Sequence, residues 1–278
     1  MLNSVSGTDQ QTNEQPLLTV SIVTFNPDFS ELKKTLNSLQ LALAGLAGEA
    51  YTITIVDNSP SNEVASFLLR GYSDLPVKLI QGQGNIGFGR AHNLAMRHTG
   101  EFHLILNPDI QLDPDALVNA LAFMSTNKHC GLLSPYAAWP NGQRQYLCKR
   151  YPTAFDLLLR GFAPPAIRSL FSRRLSRYEL QTETQNGVYW NPPIVSGCFM
   201  FFRNSILKET RGFCEKFFLY FEDFDLSVRS NEITDSAYVP TVRVVHAGGH
   251  ASKKGFWHIM IFIQSAITFY RIHGIKLF

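Results

Sequence analysis

Charge of either sign is scarce in this chain: only 17% of its 278 residues are Asp, Glu, Lys or Arg, against 45% hydrophobic and 12% aromatic. That balance excludes intrinsic disorder, because enough apolar surface is present to offset the entropy of ordering. Cysteine is also sparse. The four, at positions 130, 148, 198 and 214, have neither CxxC pairing nor metal-ligand spacing. A disulfide framework is therefore excluded, and inert reduced thiols, as in a cytosolic compartment, are expected. Long apolar runs are missing as well. The longest near the end, Trp257 to Phe269, is interrupted by Gln264, Ser265 and Thr268. It falls short of the roughly 20 apolar residues that cross a bilayer, although it can lie on one. Met1 to Pro16 lacks the basic-then-apolar order of a secretory signal and reads as a loose tail. Internal repeats and low-complexity linkers are lacking too, which favours one domain with a C-terminal appendage.

The charge that is present is unevenly placed. The formal net charge is +3, yet Gln145 to Leu180 carries seven Lys/Arg against two acids, and Ala251 to Phe278 carries four against none. The remainder is net acidic. A basic segment and a basic tail on an acidic body predict a local anionic partner, a membrane surface or phosphorylated lipid, and not a nucleic acid.

Hydrophobic periodicity predicts an α/β chain. Leu18 to Phe25 is β-rich and almost continuously apolar, as in a buried parallel strand, and Leu32, Leu36, Leu39, Leu43 and Leu46 then recur at helical spacing. Strands at 51–56, 77–81 and 102–106 alternate with helices at 63–70 and 88–98. Asp113-Pro114 supplies an N-cap and first-turn proline for a helix through Asn127. The expected architecture is a mostly parallel central sheet wound with helices over 17–250. Its second half contributes strands at 196–203 and 237–246 and a helix at 222–230. An amphipathic helix in 251–278 ends the chain.

Open sheets of this kind bind ligands at the carboxyl ends of their strands, so polar residues just after each strand are the candidates. Thr24 and Asn26 follow the first strand, Asp57 the second, and Asn107-Pro108-Asp109 the fourth. A carboxylate at Asp109 can hold a hard divalent cation, or simply cap a turn. Gly82-Gln-Gly84-Asn-Ile-Gly87 matches the dinucleotide pattern GxGxxG, with Asp109 22 residues beyond its last glycine. The match follows the third strand rather than the first, which weighs against it. Glu222, Asp223 and Asp225 emerge from an aromatic run at a helix start. Burial there raises a carboxylate's pKa and suits a general base, whereas a helix N-terminus explains at least one of them structurally. His246 ends the last strand ahead of two glycines, a position for metal or phosphate contact, with His250 as the lesser alternative.

Taken in order, TVSIVTFN, IVDNSP, GNIGFGRAHNLAM, LILNPDI, SGCFMFFR, GFCEKFFLYFEDFDLSVR and VVHAGG resemble family 2 glycosyltransferases of the GT-A fold, in particular bacterial rhamnosyltransferases of O-antigen-type polysaccharide assembly. The similarity covers about Leu18 to His250, with 17–128 as the implied nucleotide-binding half and 129–250 as the implied acceptor-binding half. It implies that Thr24, Asn26 and Asp57 hold the nucleotide base and ribose, and that Asn85, Gly87, Phe88 and Asn93 form the glycine loop beside the donor. It further implies that Asn107 and Asp109 stand at the DxD metal motif, that Asp223 is the catalytic base with Glu222 beside it, and that His246 lies near the metal and diphosphate. Asn107 replaces the first Asp, and a neutral ligand coordinates more weakly, so a readily exchanged Mg2+ or Mn2+ is expected.

The implied reaction is an inverting transfer from a nucleotide-sugar donor, dTDP-L-rhamnose favoured over UDP-galactofuranose or UDP-N-acetylglucosamine. The implied acceptor is a glycan or polyprenyl-diphosphate-linked saccharide at the cytoplasmic face of the bacterial inner membrane. Arg160, Arg168, Arg173, Arg174 and Arg177, interleaved with Leu and Phe, then suit anionic headgroups or a lipid diphosphate. The competing readings are an NAD-type oxidoreductase resting on GQGNIG and a non-catalytic sugar-nucleotide-binding module with a degenerate metal motif.

Overall fold

The computed structural model describes residues 15–46, 48–97, 100–248 and 255–276; the sequence before residue 15 and His250 lie outside the described residues. In chain order the first half comprises β1 (Leu18–Thr24), α1 (Phe29–Ala44), β2 (Tyr51–Asp57), α2 (Glu63–Gly71), β3 (Val77–Gln81), α3 (Phe88–Ala95), β4 (Phe102–Leu106), β5 (Ile110–Leu112) and α4 (Ala116–Thr126). The second half continues with β6 (Cys130–Ala138), β7 (Arg144–Gln145), β8 (Cys148–Lys149), α5 (Ala154–Phe162), α6 (Pro165–Leu170), α7 (Ser172–Tyr178), β9 (Tyr189–Trp190) and β10 (Ile194–Val195). It closes with β11 (Phe199–Arg203), α8 (Asn204–Thr210), α9 (Glu222–Asn231), β12 (Asp235–His246) and α10 (Phe256–His273).

The main sheet runs β3-β2-β1-β4-β11-β6-β12-β5. Its first four strands are mutually parallel, with β1 between β2 and β4 and every β1 residue buried. Such burial on both faces is why β1 reads as a continuous apolar run. β11 then inserts antiparallel between β4 and β6, and β12 returns parallel to β6. The chain order reverses between β1 and β4, where a doubly wound sheet opens its ligand crevice. Helix α1 is fixed at its start by Asp28, whose carboxylate accepts from the Ser30 and Glu31 amides at 2.8 and 3.4 Å. It packs Leu32, Leu36, Leu39 and Leu43 into the core.

Two departures from the sequence expectation matter for the site. The chain after Asp109 first forms β5, pairing Ile110 to Leu112 with β12. α4 therefore begins later than Asp113-Pro114 suggests, with Asp115 as N-cap and no side-chain cap bond. β6, absent from the sequence reading, is a nine-residue strand between β11 and β12 in the sheet.

The C-terminal helix is bound into the acceptor half on one side. Phe269 is fully buried against Phe221 and Phe224, the Ser265 hydroxyl donates to the Leu219 carbonyl at 2.8 Å, and Tyr270 donates to the Pro152 carbonyl at 3.1 Å. His273 meets Asp225 at 2.9 Å. Asp225 also pairs with Arg229 at 2.7 Å, so this member of the acidic trio is a structural clamp between α9 and α10. All four cysteines are free, and burial pushes the Cys130, Cys148 and Cys198 thiols up to about 12, 11 and 12, which leaves them inert.

Candidate active site

The end of β1 presents Thr24, whose hydroxyl donates to Asp57 Oδ1 at 2.9 Å from the end of β2. The same oxygen accepts from the Ser59 hydroxyl at 2.6 Å and the Ser59 amide at 3.1 Å. Its other oxygen, Oδ2, is buried with no hydrogen-bond partner among the described residues. A buried carboxylate oxygen left without a donor is costly, and a ligand N–H or O–H would satisfy this one. Asn26 adopts a left-handed backbone (φ 46°), and its amide donates to the Ser59 hydroxyl at 2.7 Å.

The loop after β3 folds back over this pocket. Gln83 donates to the Asp57 carbonyl at 2.8 Å and to Asn58 Oδ1 at 3.1 Å, and Asn58 donates to the Gly87 carbonyl at 3.2 Å and to Asn85 Oδ1 at 3.5 Å. Three residues assigned to the donor by sequence have other duties. Gly87 has φ 91°, and a Cβ there would sit 2.3 Å from the Phe218 carbonyl oxygen. The Phe88 amide donates to that same carbonyl at 3.0 Å, and the Phe88 ring packs edge-on against His92 and Phe213. Asn93 spends both ends of its amide on the backbone of Phe213, donating to its carbonyl and accepting from its N–H at 2.9 Å each. The N-terminus of α3 is thereby closed by protein backbone. A dinucleotide fingerprint needs that terminus open to a pyrophosphate, so GQGNIG does not function as one.

At the switch point, Asn107 and Asp109 follow β4. The Asn107 amide donates to the Cys198 carbonyl at 2.9 Å, while Asn107 Oδ1 and Asp109 Oδ1 are buried without hydrogen-bond partners among the described residues. Asp109 Oδ2 lies 3.4 Å from His246 Nε2. Gln145 fixes the histidine: its Nε2 donates to the His246 carbonyl at 2.9 Å, which leaves its Oε1 to face His246 Nδ1, also at 2.9 Å. Nδ1 then carries a proton, and the ring is held with Nε2 facing Asp109. Trp139 stacks on the imidazole with centroids 6.2 Å apart. Burial raises the Asp109 pKa, but the His246 hydrogen bond and charge, with backbone N–H groups, outweigh it and hold the carboxyl below its ordinary value.

The described residues contain no group of three or more His, Cys, Asp or Glu placed to hold a metal. Asp109 and His246 nevertheless fit a weakly held divalent cation, since Asp109 Oδ1 is unpartnered among the described residues and Oδ2 of the same carboxylate lies 3.4 Å from an oriented imidazole nitrogen. Magnesium in particular is commonly held by one or two carboxylates, with waters and substrate phosphates completing its sphere.

The opposite wall carries Asp223 in the first turn of α9. Tyr220 and Phe221 precede it in consecutive left-handed conformations, φ 69° and 65°, unusual for aromatic residues and a sign that surrounding packing imposes the turn. Phe221 is clamped by Phe262 and Phe269 of α10. The Gly197 amide donates to Asp223 Oδ2 at 2.8 Å, and the Phe224 amide donates to Oδ1 at 3.0 Å. A Cβ at Gly197 would come within 2.9 Å of Asp223 Cβ. Burial wins over these N–H groups and over the nearby Lys149 charge, so the Asp223 pKa is raised. Glu222 beside it is buried.

Three contributors escape sequence reasoning: Gly197, which orients Asp223; Gln145, which orients His246; and Lys149, a buried lysine near Asp223. Gly197 stands in a recognised strand motif, whereas nothing near Gln145 or Lys149 marks them in sequence.

The model of the family described as glycosyl transferase family 2 matches residues 19–211. An N-acetylglucosaminyl-diphospho-decaprenol L-rhamnosyltransferase from Mycobacterium tuberculosis is 26% identical over 253 residues, covering 85% of this chain and 78% of that protein. Rhamnosyltransferase WbbL from Escherichia coli K12 is 24% identical over 226 residues, covering 76% and 80%. Among solved structures, a mannosyltransferase from Pyrobaculum calidifontis in complex with GDP-Man and Mn2+ superposes with TM-score 0.61 at 19% identity, covering 93% of this chain and 65% of that one.

Proposed function

The chain belongs to glycosyl transferase family 2, and we propose that within it the protein is an inverting rhamnosyltransferase, moving L-rhamnose from dTDP-L-rhamnose to a saccharide carried on a polyprenyl diphosphate. One observation carries the reading: the dipeptide Gly197-Cys198 holds both halves of the chemistry. Its Gly197 N–H grips Asp223, and its Cys198 carbonyl receives the amide of Asn107 in the donor motif. The two similar rhamnosyltransferases, one with a diphospho-decaprenol acceptor in its name, supply the sugar and the lipid carrier.

In the proposed reaction Asp223 Oδ takes the proton of the acceptor hydroxyl. The acceptor hydroxyl oxygen forms the new bond to the anomeric carbon from the face opposite the leaving group. The bond from that carbon to the diphosphate oxygen breaks, and the nucleoside diphosphate departs with its electron pair. Asp57 Oδ2 accepts the imide N–H of a pyrimidine base, a feature that thymine and uracil share. Asp109 and His246 would hold Mg2+ or Mn2+, which when bound offsets negative charge on the departing diphosphate.

No described helix is long and apolar enough to cross a membrane. The outer face of α10 exposes Phe256, Trp257, Met260, Ile263 and Ile267, and the neighbouring basic segment exposes Arg173, Arg177 and Leu170. This combination suits peripheral attachment to an anionic leaflet, the cytoplasmic face of the inner membrane in a bacterium. Flotation with anionic vesicles at low salt should carry the protein upward; protein that stays at the bottom excludes the attachment.

The transfer itself is tested by supplying radiolabelled dTDP-rhamnose, UDP-galactofuranose and UDP-N-acetylglucosamine with a lipid-linked N-acetylglucosamine acceptor. Label from dTDP-rhamnose alone is expected. Label from a UDP-sugar alone would replace the donor, and nuclear magnetic resonance of the product showing retention would overturn the inverting mechanism.

A further inference from the structure

A cleft of about 770 Å³ opens beside Asp223, and its lining has two characters. Lys149, Arg160 and Arg168 contribute positive charge, and Tyr220, Ile259 and Phe262 apolar and aromatic surface. Asp109 and His246 do not line it, so these cations are separate from the donor motif. Arg160 and Arg168 sit in the last turns of α5 and α6, are exposed, and form no ion pair among the described residues. Lys149 is buried; its Nζ donates to the Tyr146 carbonyl at 2.8 Å and lies 3.9 Å from the nearest carboxylate, that of Glu179. An ammonium has three N–H donors, so Lys149 retains unused ones in a desolvated place. Burial, with the Arg160 charge, brings its pKa down to about 7. Three basic side chains line the same cleft as the carboxylates of Glu222 and Asp223, and the unused N–H donors of Lys149 and the two arginines suit an anion of more than one charge.

We propose that Lys149, Arg160 and Arg168 form the seat for the diphosphate of the acceptor, with the α10 wall receiving the first part of its hydrocarbon chain and Asp223 facing the sugar hydroxyl. This assignment rests on the lipid-linked acceptor proposed above and adds to it the residues that recognise the lipid carrier. Binding energy gathered at the diphosphate, away from the reacting hydroxyl, then positions that hydroxyl against the base.

The test is calorimetric binding of farnesyl diphosphate to the full-length protein, with farnesol, inorganic pyrophosphate and phosphatidylglycerol vesicles as comparison ligands. Farnesyl diphosphate is expected to bind at least tenfold more tightly than farnesol or pyrophosphate. Arg160→Ala/Arg168→Ala, two exposed positions whose removal leaves the core intact, should weaken it at least tenfold while leaving dTDP binding unchanged. Lys149→Gln should act in the same direction and tests the buried cation separately. Equal binding of farnesyl diphosphate by wild type and the double variant would overturn the seat, as would pyrophosphate binding as tightly as the farnesyl ester. Loss of vesicle binding in the double variant with farnesyl diphosphate unaffected would also overturn it, assigning the arginines to the bilayer. Transfer measured on the same preparations reports on the acceptor separately. A wild type that binds farnesyl diphosphate through these residues yet glycosylates no lipid-linked saccharide would refute the acceptor and support the seat.

Discussion

Asp109 and Asp223 close the crevice from opposite halves of the sheet, and their surroundings push them in opposite directions. On the parallel half, His246 and backbone N–H groups overcome burial and keep Asp109 ionised to low pH. On the antiparallel half, two N–H groups and a lysine do not overcome burial, and Asp223 retains a proton more readily than an ordinary aspartate. A carboxylate that holds a cation must stay charged, whereas one that accepts a proton in the transition state gains from a higher pKa. The lesson is that the two halves, alike in offering a carboxylate at a strand or helix end, are told apart by what faces that carboxylate.

The sharpest way to break the contrast is Asp223→Asn. The amide can still accept the Gly197 N–H, so the turn persists, but no base remains. Transfer should fall by roughly 10²–10⁴-fold with nucleotide binding unchanged, as read by initial rates alongside calorimetry. In the wild type, kcat should decline as pH falls through the raised Asp223 pKa, above the ordinary aspartate range near ~3.9. An acid limb at that ordinary position, or a variant of near wild-type rate, removes Asp223 from the role.

A smaller effect sharpens the other side. Gln145→Leu frees His246 to choose the wrong tautomer or rotate away from Asp109. Mn2+ affinity in the presence of nucleotide should drop roughly 10–100-fold, with the acid limb of kcat unmoved. Unchanged metal titration would show that the histidine's orientation does not matter there.

The smallest effect concerns the seam beneath β1. The Ser21 hydroxyl meets His92 Nδ1 at 2.7 Å and His103 Nε2 at 2.9 Å, and His103 Nδ1 meets Thr19 at 2.7 Å. Burial lowers both histidine pKa values, that of His103 to about 3. Because the folded pKa lies below the unfolded one, their neutral burial is fully tolerated above the unfolded value of ~6.5 and opposes folding progressively as pH drops below it. Each contributes a loss of about 1.4 kcal/mol per pH unit in that window. Urea denaturation at successive pH values should show this slope, and His103→Gln should reduce it; an identical slope in the variant would assign the acid sensitivity to other groups.

The parallel half was legible in sequence because its strands are short runs rich in aliphatic and β-branched residues, separated by well-marked helices; Val77–Gln81 and Phe102–Leu106 match the expectation residue for residue. β6 was hidden by Gly131 and Pro135, residues that ordinarily argue against a central strand. The fold requires the first, since a Cβ at Gly131 would meet Thr234 Oγ1 at 2.4 Å, and it places the second opposite Val239, where the β12 ladder shifts register. At the site, the candidate residues sat in recognisable motifs, as did Gly197, which aims one of them. Gln145 and Lys149 did not, because they act from a segment whose short strands and helices carry no clear period. Asn93 and Gly87 stand inside the recognised motif but serve the joint between halves, a duty that no local pattern distinguishes from ligand contact.

That joint has a consequence in terms of descent. The Phe218 carbonyl lies against Gly87 and accepts the Phe88 amide, two residues ahead of the left-handed pair that presents Asp223. Any side chain gained at position 87 must displace the chain at 218, and with it the approach to the base. In a lineage descending from this sequence, the loop after β3 and the turn before Asp223 would have to change in step, because the glycine answers to a residue more than a hundred positions away.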